Sequence, residues 1–540
     1  MEPHHLPLAP QAWITHLPTA QVTHAQGPLQ GLRFAAKDNI DVAGLPTTAA
    51  CPAFAYTPPQ SATVVQKLLD AGAALQGKTN LDQFACGLNG TRSPYGAVPN
   101  AFHPHYVSGG SSSGSAYVVA TGQVDFALGT DTAGSGRVPA GLNNIVGLKP
   151  SKGLISAHGV VPAAQSVDCV SIFARTVGVA AQVLQIALGS PPSWGTTFRF
   201  GVPAPLNFYG DAQAEAAFQQ AVAQLQALGG TPVTIDYTPL KQAADLLYDS
   251  ALVAERYAAI RAFFDAHETA VMEPVRSIIA RGRQYSAADV VAAQTRLRAL
   301  GQQAQRMWQQ IDVLLVPTAP THYTIAQMQA DPVTRNRNLG EYTNFVNLLD
   351  YAALSVPSSL RPDGLPFGIT LIGPCASDLA LLALGQRLHH ATDLPQGATG
   401  LPLPAPVELP GWHTGDWVDV AVVGAPLTAA RVVARSTFEQ ILARPTPQDV
   451  VQAVAGQAGA NGQLDGSVFH VVRQGVVIKV AVDRVAAADG LVCLALDHPV
   501  SGILDVVQVR SIATDHLVGA PCPAQRVLAR AALEQIVARR

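Results

Sequence analysis

The sequence predicts an α/β protein with a sheet sandwiched between helices, followed by a smaller α+β C-terminal domain. Three observations carry this. Apolar strand-like runs at 126–129 and 312–317 alternate with helical periodicity at 63–71, 213–228 and 287–311. The stretch Gly400-Leu-Pro-Leu-Pro-Ala-Pro-Val-Glu-Leu-Pro410 places four prolines in eleven residues, and proline removes backbone donors and fixes φ, so it reads as an extended linker. Beyond it lie several short strand-like runs.

Domain boundaries follow: a body over 1–399, a linker over 400–415 and a small domain over 416–540. The chain has 540 residues, too long for one compact core. Hydrophobic residues make up 48% and charged residues 13%, the balance of a large buried enzyme rather than a disordered chain. A net charge of −3 gives no electrostatic reason to bind nucleic acid or an anionic membrane. No secretory signal is visible at the N-terminus, and no apolar run of about 18 residues implies a membrane span. The six cysteines, Cys51, Cys86, Cys169, Cys375, Cys493 and Cys522, are scattered without short pairings. They read as reduced thiols of a cytoplasmic protein, with no disulfide framework. His4/His5 and His389/His390 lack partners at ligand spacing, so no metal is expected.

The tail shows strand-like runs at 418–424, 467–473, 476–482, 491–496 and 503–509. Its segment 424–444 recurs at 519–539, each copy opening on Gly-Ala-Pro and reading as an amphipathic helix. Two packing helices are the plain reading; a docking surface for other enzymes of the same pathway is the sharper one.

Two motifs are set aside. Gly72-Ala-Ala-Leu-Gln-Gly-Lys-Thr79 matches the phosphate-loop pattern, but a helical run leads into it and a strand begins inside it. Gly110-Ser-Ser-Ser-Gly114 matches the nucleophile-elbow pattern, yet lies inside a longer Ser/Gly tract.

That tract, Ser108-Gly-Gly-Ser-Ser-Ser-Gly-Ser-Ala116, runs straight into apolar sequence, which points to a buried, tightly turned backbone rather than a linker. Gly129-Thr-Asp-Thr-Ala-Gly-Ser-Gly-Arg-Val-Pro follows. Its small residues let several N–H groups converge beside Ser135, as an oxyanion hole requires. An activated serine needs a base. Lys37 ends the strand-like run Leu32-Arg-Phe-Ala-Ala-Lys37, and a desolvated lysine loses its preference for charge. A solvent-facing lysine at a strand end is the alternative.

The order Lys37, Ser111, Ser135 resembles the amidase-signature family, marked by G-G-S-S-G and G-T-D-x-G-G-S-x-R-x-P; the resemblance covers residues 10–395. It implies the amidase-signature fold with a mixed sheet, and a seryl acyl-enzyme mechanism without cofactor. Ser135 would be the nucleophile. Ser111, after a non-proline cis peptide bond, would relay the proton, and Lys37 would be the general base and later the acid. The oxyanion donors would be the N–H groups of Thr132, Ala133, Gly134 and Ser135. Asp131 and Arg137 would hold the loop, and Lys78, the rival lysine, would sit in a structural turn. A homodimer is the expected assembly.

Within the family, Ala133, Gly136, the run Asn143-Asn-Ile-Val-Gly-Leu-Lys-Pro150, Thr47-Thr-Ala-Ala-Cys-Pro52, Lys78-Thr-Asn-Leu-Asp-Gln-Phe84 and Tyr342-Thr-Asn-Phe-Val-Asn-Leu-Leu-Asp350 look like the allophanate hydrolases of urea and s-triazine breakdown. The substrate would be a small anionic amide, and Arg335, Arg337 and Tyr342 are the candidates to bind it. Two departures stand out. Thr295-Arg-Leu297 stands where the family has Tyr-Arg-Leu, and the tail lacks the family's glycine-rich C-terminal pattern. Another urea-like or carboxamide substrate, or the amidase component of an aminoacyl-tRNA amidotransferase, are the alternatives.

Overall fold

In the central strands, successive residues face two different cores, the signature of a sheet buried on both sides. Val313 and Leu315 of Val313–Pro317 join one cluster, Leu314 and Val316 another. Ala352 and Leu354 face the first, Ala353 the second. The first core takes its helical share from Thr63–Asp70, Ala212–Ala227 and Asp378–Ala391; the second from Thr238–Asp249, Ala287–Ala304 and Asn344–Leu348. A third, small-residue core packs Ser113–Ala120 against Ala35, Ala127 and Phe173.

The computed structural model describes residues 8–24, 26–187 and 197–407, and seven strands after residue 416. Contacts divide the chain into Met1–Trp412 and His413–Arg540. In the first unit eleven strands form one sheet: β1 (Trp13–Gln21), β2 (Arg33–Lys37), β3 (Ala74–Thr79), β4 (Phe126–Asp131), β5 (Val146–Lys149), β6 (Cys169–Ala174), β7 (Phe198–Ala204), β8 (Gly230–Asp236), β9 (Val313–Pro317), β10 (Ala352–Leu360) and β11 (Pro366–Gly373). Their order is β1-β3-β2-β4-β6-β5-β10-β11-β9-β7-β8. The sheet is mixed: β2 runs parallel to β3 and β4, while β4 is antiparallel to β6. The expected helices are present as Thr63–Asp70, Ala212–Ala227 and Ala287–Ala304, the last ending before the predicted 311 in a tighter 3₁₀ turn over Gln305–Gln309. Among the described residues no helix is long and apolar enough to cross a membrane. Cys51, Cys86, Cys169 and Cys375 are free thiols.

The second unit contains a four-stranded sheet in the order Trp417–Val420, Ala430–Arg435, Val468–Arg473, Val476–Ala481 and a three-stranded one of Arg484–Ala488, Leu491–Ala495 and Val506–Arg510, all antiparallel. Ala430–Arg435 corrects the expectation of a helix over 424–444. Its adjacent valines, Val432 and Val433, suit a pleated surface, and the run pairs with strands on both sides. The repeat copy at 519–539 lies outside the described residues.

Candidate active site

Lys37 is the last residue of β2, between β3 and β4, and it is fully buried. Its Nζ lies 2.7 Å from Ser111 Oγ and 2.7 Å from Thr130 Oγ1. Burial pulls its pKa from the ordinary 10.5 down to about 7, against the opposing pull of Asp82, Asp168 and Asp131. A buried ammonium facing two neutral hydroxyls gives up its proton near neutral pH.

Lys78 is equally buried but differently held. It lies within β3, not in the expected turn, because β3 is paired on both sides, by β1 and β2. That strand also disposes of the phosphate-loop pattern. Lys78 Nζ lies 3.2 Å from Asp38 Oδ1, 3.1 Å from the Pro46 carbonyl and 3.0 Å from Thr47 Oγ1. An ion-paired lysine so engaged is a structural tie, not a free base.

The serine tract is packed as tightly as its composition implies. Gly110–Ser111 is a cis peptide bond. A Cβ on Gly110 would stand 2.2 Å from Asp82 Oδ2, the oxygen that accepts the N–H groups of Asn89 and Gly90. Ser112 Oγ donates to the Thr130 carbonyl at 3.2 Å and Ser115 Oγ to that of Leu128 at 3.0 Å, fastening the helix Ser113–Ala120 to β4. Ser112, the serine of the nucleophile-elbow pattern, is therefore a structural tie.

β4 delivers its last residue, Asp131, into the loop that carries Ser135. The Asp131 carboxylate accepts Gly134 N–H and Gly136 N–H, each at 2.9 Å, and a two-pronged pair from Arg137, Nε and Nη2, both at 2.9 Å. Arg137 also donates to the Thr343 carbonyl and Asn347 Oδ1. Both charges are fully buried and mutually satisfied, the condition under which a buried pair holds a loop. The arrangement corrects one donor assignment. Gly134 N–H is spent on Asp131, leaving the N–H groups of Thr132, Ala133 and Ser135 without a partner among the described residues. Gly134 is needed for its backbone instead: φ is +134°, and a Cβ would meet Thr343 Oγ1 at 2.3 Å. Ser135 is buried, with Oγ 3.4 Å from the Gly87 carbonyl. Thr343 Oγ1 donates to the Ala133 carbonyl at 2.8 Å and Thr132 Oγ1 to Asp168 at 2.6 Å, fixing the loop from two sides.

Of the expected substrate contacts, Tyr342 and Arg337 are engaged elsewhere, while Arg335 keeps a buried Nη1 with no hydrogen-bond partner. Tyr342 is buried against Tyr237, its hydroxyl bonded to the backbone of Asn207. Arg337 is exposed and paired with Asp249. Arg335 lies over the Tyr323 ring, its carbon 5.3 Å from the centroid. Thr295 bonds Arg298 on an exposed helix face, so the departure from Tyr-Arg-Leu is a surface one.

The structure offers a cation that sequence reasoning missed. Arg256, on the helix Ala254–His267, is 4% exposed, and its Nη1 has no hydrogen-bond partner. It lies 5.7 Å from the Tyr248 ring centroid and faces Cys86, Tyr248 and Asp168. Cys86 precedes the Gly87 that meets Ser135, and Asp168 holds Thr132, so Arg256 borders the Ser135 loop. Its only signal in the sequence was an arginine in an alanine-rich helix. Among the described residues no three His, Cys, Asp or Glu side chains converge as metal ligands.

The amidase family profile matches residues 11–382. Urea amidolyase of Saccharomyces cerevisiae is 45% identical over 426 residues, which are 74% of this chain and 23% of that protein. The chain thus spans less than a quarter of the length of this urea amidolyase and of that of Lachancea kluyveri. A variant of Kluyveromyces lactis allophanate hydrolase superposes with a TM-score of 0.72 at 40% identity, covering 78% of this chain and 76% of that one. A glutamyl-tRNA(Gln) amidotransferase component from a Synechococcus strain is 34% identical, over 70% of this chain and 87% of that protein.

Proposed function

The chain belongs to the amidase family, and from that premise we propose that it is an amidohydrolase converting allophanate to N-carboxycarbamate and ammonia in urea or s-triazine nitrogen catabolism. The observation that carries the reaction type is Lys37, fully buried, held near neutrality and 2.7 Å from Ser111 Oγ. Neutral Lys37 accepts a proton from Ser111 as Ser111 takes one from Ser135, and Ser135 Oγ attacks the terminal carbonyl of the substrate. The oxyanion is met by the free loop amides of Thr132, Ala133 and Ser135. As the intermediate collapses, the Lys37 ammonium returns its proton through Ser111 to the leaving nitrogen, and ammonia departs. Water, deprotonated by the same relay, then cleaves the ester on Ser135 and releases N-carboxycarbamate.

The substrate reading is supported by identity of 45% to a urea amidolyase against 34% to an amidotransferase component. It is supported further by Arg256. A desolvated guanidinium with an unmade bond favours a ligand bearing a carboxylate, which allophanate has and simple amides lack. The test is ammonia release from allophanate, biuret, malonamate and simple amides offered separately. Brisk turnover of a neutral amide without turnover of allophanate refutes the substrate; activity retained by Ser135→Ala refutes the mechanism.

A further inference from the structure

Asp168 is not a member of the serine–serine–lysine relay, yet it is among the most heavily bonded side chains beside it. It precedes β6, whose first residue, Cys169, pairs with Asp131 at the end of β4, and this register brings it to the opening of the Ser135 loop. Thr132 Oγ1 donates to its Oδ1 at 2.6 Å. Ala163 N–H donates to Oδ2 at 2.8 Å, and Ala164 N–H reaches both oxygens at 3.2 and 3.1 Å. The two backbone partners can only donate, and Thr132 donates as well, so these bonds favour the anion. Burial, the larger influence, leaves the Asp168 pKa above the ordinary carboxylate value, while these bonds and Arg256 pull it back toward the anion.

The charges facing Lys37 are Asp82, Asp168 and Asp131. Asp131 is neutralised by the two-pronged Arg137 pair, and Asp82 is spent on the backbone amides of Asn89, Gly90 and Arg92. Asp168 faces the base and, through Thr132, also holds the opening of the loop that bears the nucleophile.

We propose that Asp168 is a positioning residue of the amide reaction: its carboxylate fixes the Thr132 end of the oxyanion loop and stabilises, as a fixed anion, the Lys37 ammonium that forms when Ser135 attacks. This rests on the reading of Lys37 as base and Ser135 as nucleophile. The test is kcat and KM across pH, with the amide the wild-type chain hydrolyses fastest. Asp168→Asn is expected to lower kcat by roughly 10- to 100-fold with KM little changed. It also moves the acid limb of kcat/KM to lower pH by about one unit, because a charge that favoured the ammonium is gone. Thr132→Val lowers kcat and leaves the limb in place. An unmoved limb in Asp168→Asn overturns the proposal. Should that variant not fold, Asp168→Glu carries the test: the limb stays, kcat falls, and a wild-type kcat overturns the positioning role. Activity retained by Lys37→Met would overturn the underlying reading instead. An inactive Lys37→Met beside an unmoved limb in Asp168→Asn overturns the role of Asp168 alone.

Discussion

Replacing Lys37 by methionine removes the proposed base and relieves the fold of a buried amine. The fall from 10.5 to about 7 corresponds to about 5 kcal/mol of preference for the neutral form. Below pH 7 both the folded and the unfolded chain carry the proton, and the folded state bears the whole cost. Between about 7 and 10.5 the unfolded chain holds a proton that the folded chain has lost. Stability therefore rises with pH through that window, and the cost shrinks by about 1.4 kcal/mol for each pH unit. Methionine also forfeits the bonds to Ser111 and Thr130, about 1 kcal/mol each. Lys37→Met is thus expected to be more stable than wild type at pH 6 by about 2–3 kcal/mol, with the advantage gone near pH 9. Denaturant unfolding at the two pH values measures this. In parallel, wild-type kcat/KM should rise with pH through an apparent pKa near 7, and the variant should be inactive. A stability difference that does not change with pH, or an acid limb lying well below pH 6, would refute the assignment of Lys37 as a neutral buried base.

Ser135→Ala should abolish ammonia release while shifting unfolding by no more than about 1 kcal/mol, since the hydroxyl makes only a 3.4 Å contact. Arg256→Met should raise KM for allophanate by roughly 30-fold or more, the loss of a charge-assisted contact, and leave a neutral amide little affected; equal losses on both substrates would refute the anchor. Asp131→Asn breaks a fully buried pair and should destabilise by about 3–5 kcal/mol in denaturant unfolding. Gly136→Ala would press a methyl to 2.5 Å from Ser171 Cβ, and a loss of about 1–3 kcal/mol with reduced kcat is expected.

Much of the fold was legible because burial on both sides of a sheet writes itself as short apolar runs alternating with helical periods, and β4, β9 and the three expected helices lie where those patterns fall. The tail was less legible. Val432 and Val433 sit in a run whose period reads as helical, and pairing with neighbouring strands overrides it. The Ser/Gly tract and the Gly129–Arg137 run were readable because small residues and a buried Asp–Arg pair leave few alternatives for a backbone that must turn tightly. The lysines were separated only by the family resemblance, not by their own local pattern. Lys37 and Lys78 both lie in buried strands, and the partners each meets, two hydroxyls against a carboxylate, are what distinguish the proposed base from the tie. The same holds for the arginines. Arg335 and Arg337 were the expected anchors, but Arg337 pairs with Asp249 on the surface; Arg335 and Arg256 each keep a buried Nη1 without a hydrogen-bond partner, Arg335 over the Tyr323 ring and Arg256 facing Asp168. The sequence alone pointed to the family, through its resemblance to two signature motifs, and to the layered architecture, which depends on local composition and spacing. Tertiary structure decided which charged groups are desolvated and what each one faces, because those properties arise between residues far apart in the chain.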